Sequence, residues 1–229
     1  MLVAIAICAL IFAWLRYPLQ QTRLESELAI AIEELGGTVT WGGLAEGRGK
    51  KGRSYIGAID LSGTTVSDTE LEGIGQLPEL THLNLNDTSI TDVGIRHLTK
   101  LPALKQIELC GTRTSNAGVA SLADIETLEV VKLDRCPLTD EAARSLSDLK
   151  RIWMLHLDRT SISDSGTNAL ATLPDLRTLS LRGTKTTDAG LRNLEKANQL
   201  EMLFLDGTPV TDGAIEEFNS KRSNVTALR

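Results

Sequence analysis

The sequence is poor in the residues on which most catalytic, metal and disulfide-stabilised sites depend. Its 229 residues include three histidines, three cysteines and only 3% aromatic side chains. Three cysteines form no disulfide framework, and an acidic chain with a net charge of −6 does not favour nucleic acid as a partner. We therefore expect no catalytic residues, no cofactor, no metal ligands and no nucleic-acid partner.

The dominant pattern is a repeat of 24 residues. The fragment L-x-L-x-x-T-x-(V/I/L/T)-(S/T)-(D/N) returns without an insertion from Ile56 almost to the C-terminus. Its first apolar positions are Ile56, Leu80, Leu104, Leu128, Ile152, Leu176 and Leu200. A fixed period of this length predicts a solenoid, because each unit buries its apolar edge only by stacking on its neighbours.

One repeat contains the signals of a strand and of a helix. The spacing L-x-x-L-x-L predicts a short strand that points alternate side chains, such as Leu83 and Leu85, into the coil. Each Ser/Thr-Asp/Asn pair, one member of which is the helix cap, precedes apolar residues at three-residue spacing. Small residues at the helix starts, such as Gly94, predict a close approach of helix to core. The threonine after each strand is expected to bond to carbonyls of the neighbouring turn, with Cys136 as a tolerated replacement.

The turns of this repeat resemble a known family. The pattern T-D-x-G-(L/I)-x-x-L-x-x-L, which begins as in residues 187–191, is similar to leucine-rich repeats with helical outer faces. It resembles bacterial membrane-anchored leucine-rich repeat proteins and the repeat regions of ribonuclease inhibitor and of F-box proteins. The resemblance covers residues 56–218 and implies an α/β horseshoe with a parallel sheet on the concave side and helices on the convex side. It also implies binding of a protein ligand, which it does not identify.

The pattern divides the chain into four segments. Residues 1–16 are predicted to be a membrane anchor or signal-like segment, and residues 17–55 a helix–strand cap followed by a glycine-rich basic loop. Residues 56–223 hold seven repeats, and residues 224–229 a truncated C-terminal strand. The basic loop does not have the spacing of a phosphate-binding loop, because Lys50 is followed by Lys51. We interpret it as a surface loop, and a contact with anionic lipid or nucleic acid is the alternative.

The first segment contains an unbroken apolar run at residues 2–15. As a helix this run is about 21 Å long, which is short of the roughly 30 Å hydrocarbon core. No basic residue stands before it and no A-x-A site follows it, as a signal peptide requires. We expect an uncleaved anchor in the lipid bilayer, with a start further upstream as a variant of this interpretation. The family resemblance favours an extracytoplasmic repeat domain, whereas Arg16 and Arg23 favour the cytoplasmic side.

The predicted outward positions of the strands change character at the fourth repeat. Earlier repeats place small or polar residues there, whereas the later ones place Val130, Trp153, Met154, His156, Met202 and Phe204. Charged residues surround them: Asp134, Arg135, Asp158, Arg159, Arg182 and Asp206. Aromatic and methionine side chains with a charged rim are typical of a protein-binding hot spot. In the alternative interpretation Trp153 folds over the edge of the sheet, or the end cap covers Phe204.

The sequence leaves three candidate functions. The first is a non-enzymatic scaffold that binds a partner protein on the concave face of repeats four to seven. The second is a structural role in which the repeats of several molecules assemble. The third is metal-dependent hydrolysis at Asp134, Asp158 and His156, which Arg135 and Arg159 disfavour because they neutralise the carboxylates beside them.

Overall fold

The computed structural model describes residues 23–42 and 54–228. The apolar run at residues 2–15, for which we predicted an anchor, and nearly all of the basic loop lie outside the described residues. Within the described residues, no helix is both long enough and apolar enough to span a membrane.

Strands and helices alternate along the chain, as the repeat predicts. The first helix, α1, covers residues 23–34 and precedes the strands β1 (Thr38–Gly42) and β2 (Tyr55–Asp60). The later strands are β3 (His82–Asn84), β4 (Gln106–Glu108), β5 (Val130–Lys132), β6 (Met154–His156), β7 (Thr178–Ser180), β8 (Met202–Phe204) and β9 (Thr226–Leu228). The later helices are α2 (Leu71–Ile74), α3 (Asp92–Leu98), α4 (Asn116–Leu122), α5 (Asp140–Leu146), α6 (Asp164–Leu170), α7 (Asp188–Leu194) and α8 (Asp212–Lys221).

The nine strands form one open sheet in sequence order. Strand β1 runs antiparallel to β2, and every later pair is parallel. Each parallel pair joins residues one repeat apart, as in Leu83 with Ile107 and Leu155 with Leu179. The predicted α/β leucine-rich repeat solenoid is confirmed, with the sheet on the concave side and the helices on the convex side.

The repeated leucines make a single hydrophobic core that runs the length of the coil. Leu85, Leu133, Leu157 and Leu181 are fully buried. Burial of a leucine side chain stabilises the fold by roughly 2 kcal/mol, and no repeat has enough such side chains to fold alone.

From α3 onward the first residue of the Ser/Thr-Asp/Asn pair is the helix cap, whereas in the first repeat Glu70 rather than Ser67 is the cap of α2. The second residue of the pair joins neighbouring turns. The hydroxyl of Ser115 accepts from the amide of Ala117, at the start of its own helix. Asp92 stands one residue after the cap of the previous helix, and its carboxylate accepts from the amide of Ser115 at 2.7 Å and from its hydroxyl at 2.6 Å. The same two bonds recur in the pairs Asp68–Thr91, Asp140–Ser163, Asp164–Thr187 and Asp188–Thr211. We call this series the convex ladder.

The glycines at the helix starts make room for the convex ladder. A Cβ atom at Gly118 would overlap Oδ1 of Asp92, and one at Gly190 would overlap Oδ1 of Asp164. Our prediction of a close approach to the core therefore missed the main neighbour, which is a carboxylate of the preceding turn. Ala142 stands at this position in the turn that follows Asn116, where an amide replaces the carboxylate.

The threonines after the strands bond within their own turn, so our prediction of bonds to the neighbouring turn was wrong. Thr88 donates to the carbonyl of Leu85 at 2.7 Å, and Thr160 donates to that of Leu157 at 2.6 Å. Cys136 is the exception, because its Sγ donates at 3.1 Å to the carbonyl of Leu109 in the preceding turn.

Both described ends of the solenoid are covered. At the first end α1 packs Ala29 and Ile32 into the core, and β1 pairs with β2. At the other end Phe218 replaces the usual leucine and is buried. The guanidinium of Arg222 donates to the carbonyls of Glu195 at 2.6 Å and Ala197 at 2.9 Å, which follow the preceding helix.

Candidate binding surface

The concave face presents two outward residues from each short strand. In β6 these are Met154 and His156, while Leu155 between them is buried. Each residue of a strand pairs with the residue one repeat later in the next strand, so equivalent residues form straight rows across the sheet. The outward residues of repeats four to seven therefore lie side by side.

The predicted apolar residues differ in how much surface they offer. Met202 is 41% exposed and Trp153 is 37% exposed, whereas Val130 is only 7% exposed. Met154 and Phe204 are half-buried, as is His156. Among the predicted residues, Trp153 and Met202 are therefore the most exposed large apolar side chains, and Val130 contributes little surface.

Trp153 stands immediately before β6, at the edge of the sheet where the strands begin. Trp153 lines an open groove of about 730 Å³ together with Glu129, Arg151, Asp175, Arg177, Thr178 and Glu201. We call it the amino-edge groove. Ion pairs flank the indole, with Lys105 to Glu129 at 3.0 Å and Arg177 to Glu201 at 3.6 Å.

The six predicted charged residues line a second groove at the opposite edge, where the strands end. Its volume is about 550 Å³, and its lining consists of Asp134, Arg135, Asp158, Arg159, Arg182 and Asp206 with Cys110, Gly183 and Gly207. We call it the carboxyl-edge groove. The sequence predicted one charged rim around the apolar residues, whereas the structure gathers these six charges on one side.

The aspartates of the carboxyl-edge groove hold successive turns together. Asp134 accepts from the amide of Asp158 at 2.7 Å, and Asp158 accepts from the amide of Arg182 at 2.9 Å. Asn86 accepts from the amide of Cys110 at 2.8 Å in the same way. These residues directly follow Leu85, Leu133 and Leu157, just after the strands, and they make the bonds between turns that we had assigned to the threonines.

Arg182 connects this groove to the concave face. Its Nε donates to Asp206 at 2.6 Å, its Nη1 lies 3.7 Å from Asp158, and its guanidinium stacks 4.3 Å from the ring centre of Phe204. The hydrogen bond to Asp206 raises the pKa of Arg182 and lowers the pKa of the carboxylate. Phe204 is therefore covered by an arginine of the preceding turn.

Two arginines of this groove have an unusual backbone conformation. Arg135 has a φ of 61° and Arg159 a φ of 57°, and the same repeat position elsewhere holds Gly63, Gly111, Gly183 and Gly207 with φ between 65° and 71°. A side chain in this left-handed region costs about 1 kcal/mol or more relative to glycine. Asp87, the remaining non-glycine residue here, accepts from Arg135 at 2.7 Å across the intervening turn.

A half-buried polar cluster on the concave face was not predicted. Glu108 accepts from Lys132 at 2.9 Å, from Asn86 at 2.8 Å and from Gln106 at 2.7 Å. Burial alone would raise the pKa of Glu108, but these hydrogen bonds outweigh it and hold the pKa below its usual value. The signal in the sequence was the opposite charge of Glu108 and Lys132 one repeat apart, on neighbouring strands.

The chemistry available at this surface is limited. Within the described residues, no group of three or more histidine, cysteine or acidic side chains is arranged to hold a metal ion. His156 lies 3.9 Å from Asp134. Cys110 and Cys136 are buried and unbridged, as expected. Burial, and then the carboxylate of Asp134, raise the pKa of the Cys110 thiol to about 12, so the thiol is a poor nucleophile.

Comparisons with known proteins agree with this fold. The family model described as a leucine-rich repeat matches residues 76–101. The chain is similar to the crystal structure of internalin C2 from Listeria monocytogenes strain 4b F2365, at 23% sequence identity and a TM-score of 0.62. This similarity covers 76% of the present chain and 70% of the internalin chain. No curated protein matches the sequence.

Repeat sequence, family match and fold together define a leucine-rich repeat protein. The identity to the internalin structure is low, so the similarity concerns the fold alone. Since 264 chains of solved structures match this chain, the fold by itself selects no particular partner. The indications of function therefore come from the surface.

Proposed function

We propose that the protein is a non-enzymatic scaffold that binds a partner protein on the concave side of repeats four to seven. The observation that carries the proposal is the exposure of Trp153 and Met202 beside strands whose leucines are completely buried. The core is already filled by Leu155 and Leu203, so neither exposed side chain is needed to close it. Large exposed apolar side chains on one face favour a protein contact.

The layout of the face supports the same function. Trp153 lines the amino-edge groove, the outward side chains of the strands lie between the two grooves, and charged residues line both grooves. A protein interface commonly has an apolar centre with a polar, solvent-accessible rim. The short strands β5–β8 hold this face in one register, which keeps the contact residues in place before a partner arrives.

Site-specific photo-crosslinking tests the proposal on the full chain. A photoreactive side chain at Met202 is compared with one at Val93, which is 50% exposed on the convex helix α3. We expect a discrete adduct with a partner protein at Met202 and none at Val93. Trp153→Ala should reduce the Met202 adduct at least about tenfold, as loss of one hot-spot side chain predicts. Equal adducts at both positions, or an adduct indifferent to Trp153→Ala, would show that the concave face is not the contact.

Anchoring of the repeats in a membrane is part of the proposal. It is supported by the apolar run at residues 2–15 and by the resemblance to anchored repeat proteins. We propose that the repeats are extracytoplasmic. The protein should then sediment with membranes. Added protease should degrade the repeats in cells whose outer layers are permeabilised and whose cytoplasmic membrane is intact. Recovery of the whole protein in the soluble fraction would contradict anchoring.

Self-assembly is the second candidate. The observation that favours it is β9, whose outer edge pairs with no other strand within the described residues and whose Leu228 is 42% exposed. Light scattering on a dilution series distinguishes the two functions. A mass that stays monomeric supports a scaffold for a different partner, and a mass that rises with concentration supports assembly.

A further inference from the structure

We infer that the carboxyl-edge groove binds a carboxylate side chain from an acidic segment of a partner protein, and that the guanidinium of Arg159 is its anchor. The inference rests on the proposed function, since it names the chemistry of the partner at one edge of the same face. The inference concerns a different set of side chains from Trp153 and Met202. An experiment can therefore contradict the inference without contradicting the proposed function.

The hydrogen bonds within the groove show which of its donors and acceptors are already engaged. The acids are engaged: Asp134 and Asp158 accept backbone amides of the next turn, and Asp206 accepts from Arg182. Arg135, the equivalent of Arg159 one turn earlier, donates to Asp87. A ligand that brings acceptors therefore suits the groove better than a cation, because the acids already bind donors and the arginines of the lining repel a cation.

Arg159 is the donor that remains. Its backbone amide bonds to Arg182, but its guanidinium makes no hydrogen bond and no ion pair with any residue in the described part of the chain. A free guanidinium has five N–H donors in a planar fork, which matches the two oxygens of a carboxylate. Gly183 and Gly207 follow in the next two turns and add no side chain to the groove beside it.

The backbone of Arg159 supports a role outside the fold. Its φ of 57° lies in the region that glycine adopts at the same position of four other turns. Arg135 shares the strain but has an internal ion pair to offset it, whereas Arg159 has none among the described residues. Strain that no contact within the protein offsets is characteristic of residues retained for binding or catalysis.

The surrounding charges select a carboxylate over a phosphate. Asp134, Asp158 and Asp206 line the groove, and only one guanidinium of its lining is left to neutralise a ligand. A carboxylate brings one negative charge, which that guanidinium balances. A phosphate monoester brings nearly two and would leave a repulsive excess close to three carboxylates.

Peptide binding to the full chain tests the inference directly. The probe is a fluorescein-labelled octapeptide of alternating glutamate and glycine with an amidated C-terminus, followed by fluorescence anisotropy at low salt. Two companion peptides replace glutamate by phosphoserine or by lysine. We expect the glutamate peptide to bind most tightly, and Arg159→Gly to weaken it at least about tenfold, as loss of a charge-assisted fork contact predicts.

A stability measurement on the same variant separates binding from folding. Arg159→Gly relieves the strained φ and should raise the urea midpoint while it abolishes peptide binding, a combination that a structural arginine does not produce. Arg144→Ala on helix α5 changes the net charge by the same amount on the convex side and should leave peptide affinity unchanged.

The remaining outcomes count against the inference. Tighter binding of the phosphoserine or the lysine peptide would overturn it, as would wild-type affinity in Arg159→Gly or a lowered urea midpoint in that variant. Loss of glutamate-peptide binding with an intact Met202 adduct would leave the proposed function standing and remove this inference alone. Specific glutamate-peptide binding without any Met202 adduct would contradict the proposed contact at Trp153 and Met202 and leave the binding of a carboxylate in the carboxyl-edge groove standing.

Discussion

Asp92 and Ser115 are joined across neighbouring turns by two hydrogen bonds, of 2.7 Å to the backbone amide and 2.6 Å to the hydroxyl. The same carboxylate occupies the space in which a Cβ at Gly118 would lie. A single contact thus links three features of the repeat, namely the acid after the cap, the cap itself and the glycine three residues later.

Gly118→Ala should destabilise the protein by about 1–3 kcal/mol, because the added methyl group overlaps Asp92 in a packed site. Urea unfolding followed by circular dichroism measures the change. The matched control is Gly213→Ala in α8, where a Cβ meets nothing within 4 Å. That variant should gain roughly 0.5–1 kcal/mol from the better helix propensity of alanine. Equal effects of the two substitutions would contradict this account of the glycines.

Asp164→Ala should cost about 1–3 kcal/mol by leaving the amide and hydroxyl of Thr187 without their acceptor. The change acts between turns, so amide hydrogen exchange should accelerate in α6 and α7 before it does so in α3. Asp124→Ala removes an exposed acid whose side chain makes no hydrogen bond in the described structure, and it should be close to neutral. A neutral Asp164→Ala would show that the convex ladder adds nothing to stability.

Glu108→Gln should lower stability at pH 7 by about 1–3 kcal/mol, because Lys132 then loses its charged partner in a half-buried site. The pKa of Glu108 is depressed in the folded protein, so its contribution is complete above the ordinary value of 4.5 and disappears as the pH falls through the folded value. The difference between wild type and variant should therefore shrink in acid. Urea titrations at neutral pH and at a pH below the ordinary pKa of glutamate test this, with exposed Glu126→Gln as the control. A difference that grows in acid would be inconsistent with the depressed pKa.

Cys110 should resist alkylation in the folded protein. Its pKa of about 12 leaves at least about a hundredfold less thiolate at mildly alkaline pH than an ordinary thiol has. Iodoacetamide labelling resolved by peptide mass spectrometry measures the rate, and urea-unfolded protein is the reference. Asp134→Asn should accelerate labelling several-fold, because it removes the nearby negative charge while burial remains. Native labelling as fast as in urea would disprove the burial of this thiol.

The fold was predictable from sequence because its signal is periodic. Leu83, Ile107 and the core residues of the later strands recur at one interval, and the parallel register follows that interval without a shift. The convex helices were equally visible from their cap residues. The assignment of Thr91 as cap and Asp92 as the link to the next turn was not, since both residue types cap helices and only the distances distinguish them.

The proposed binding surface was predictable only in part. The exposure of Trp153 and Met202 followed from their places outside the leucine positions. Val130 has the same repeat position as Met202, yet it is 7% exposed whereas Met202 is 41% exposed, a difference that the repeat pattern does not predict. The placement of Trp153 and Arg159 on opposite edges depends on where each strand begins and ends, which the repeat pattern does not define to the residue.

The sequence by itself determined that the chain is a leucine-rich repeat solenoid, because a strict 24-residue interval of apolar side chains can bury them only by stacking. Only the tertiary structure decided which polar groups meet. Aspartates and arginines at equivalent positions have the same local sequence signals. Their roles diverge when a turn brings a donor, a glycine or open solvent against them, as it does for Arg135 and Arg159.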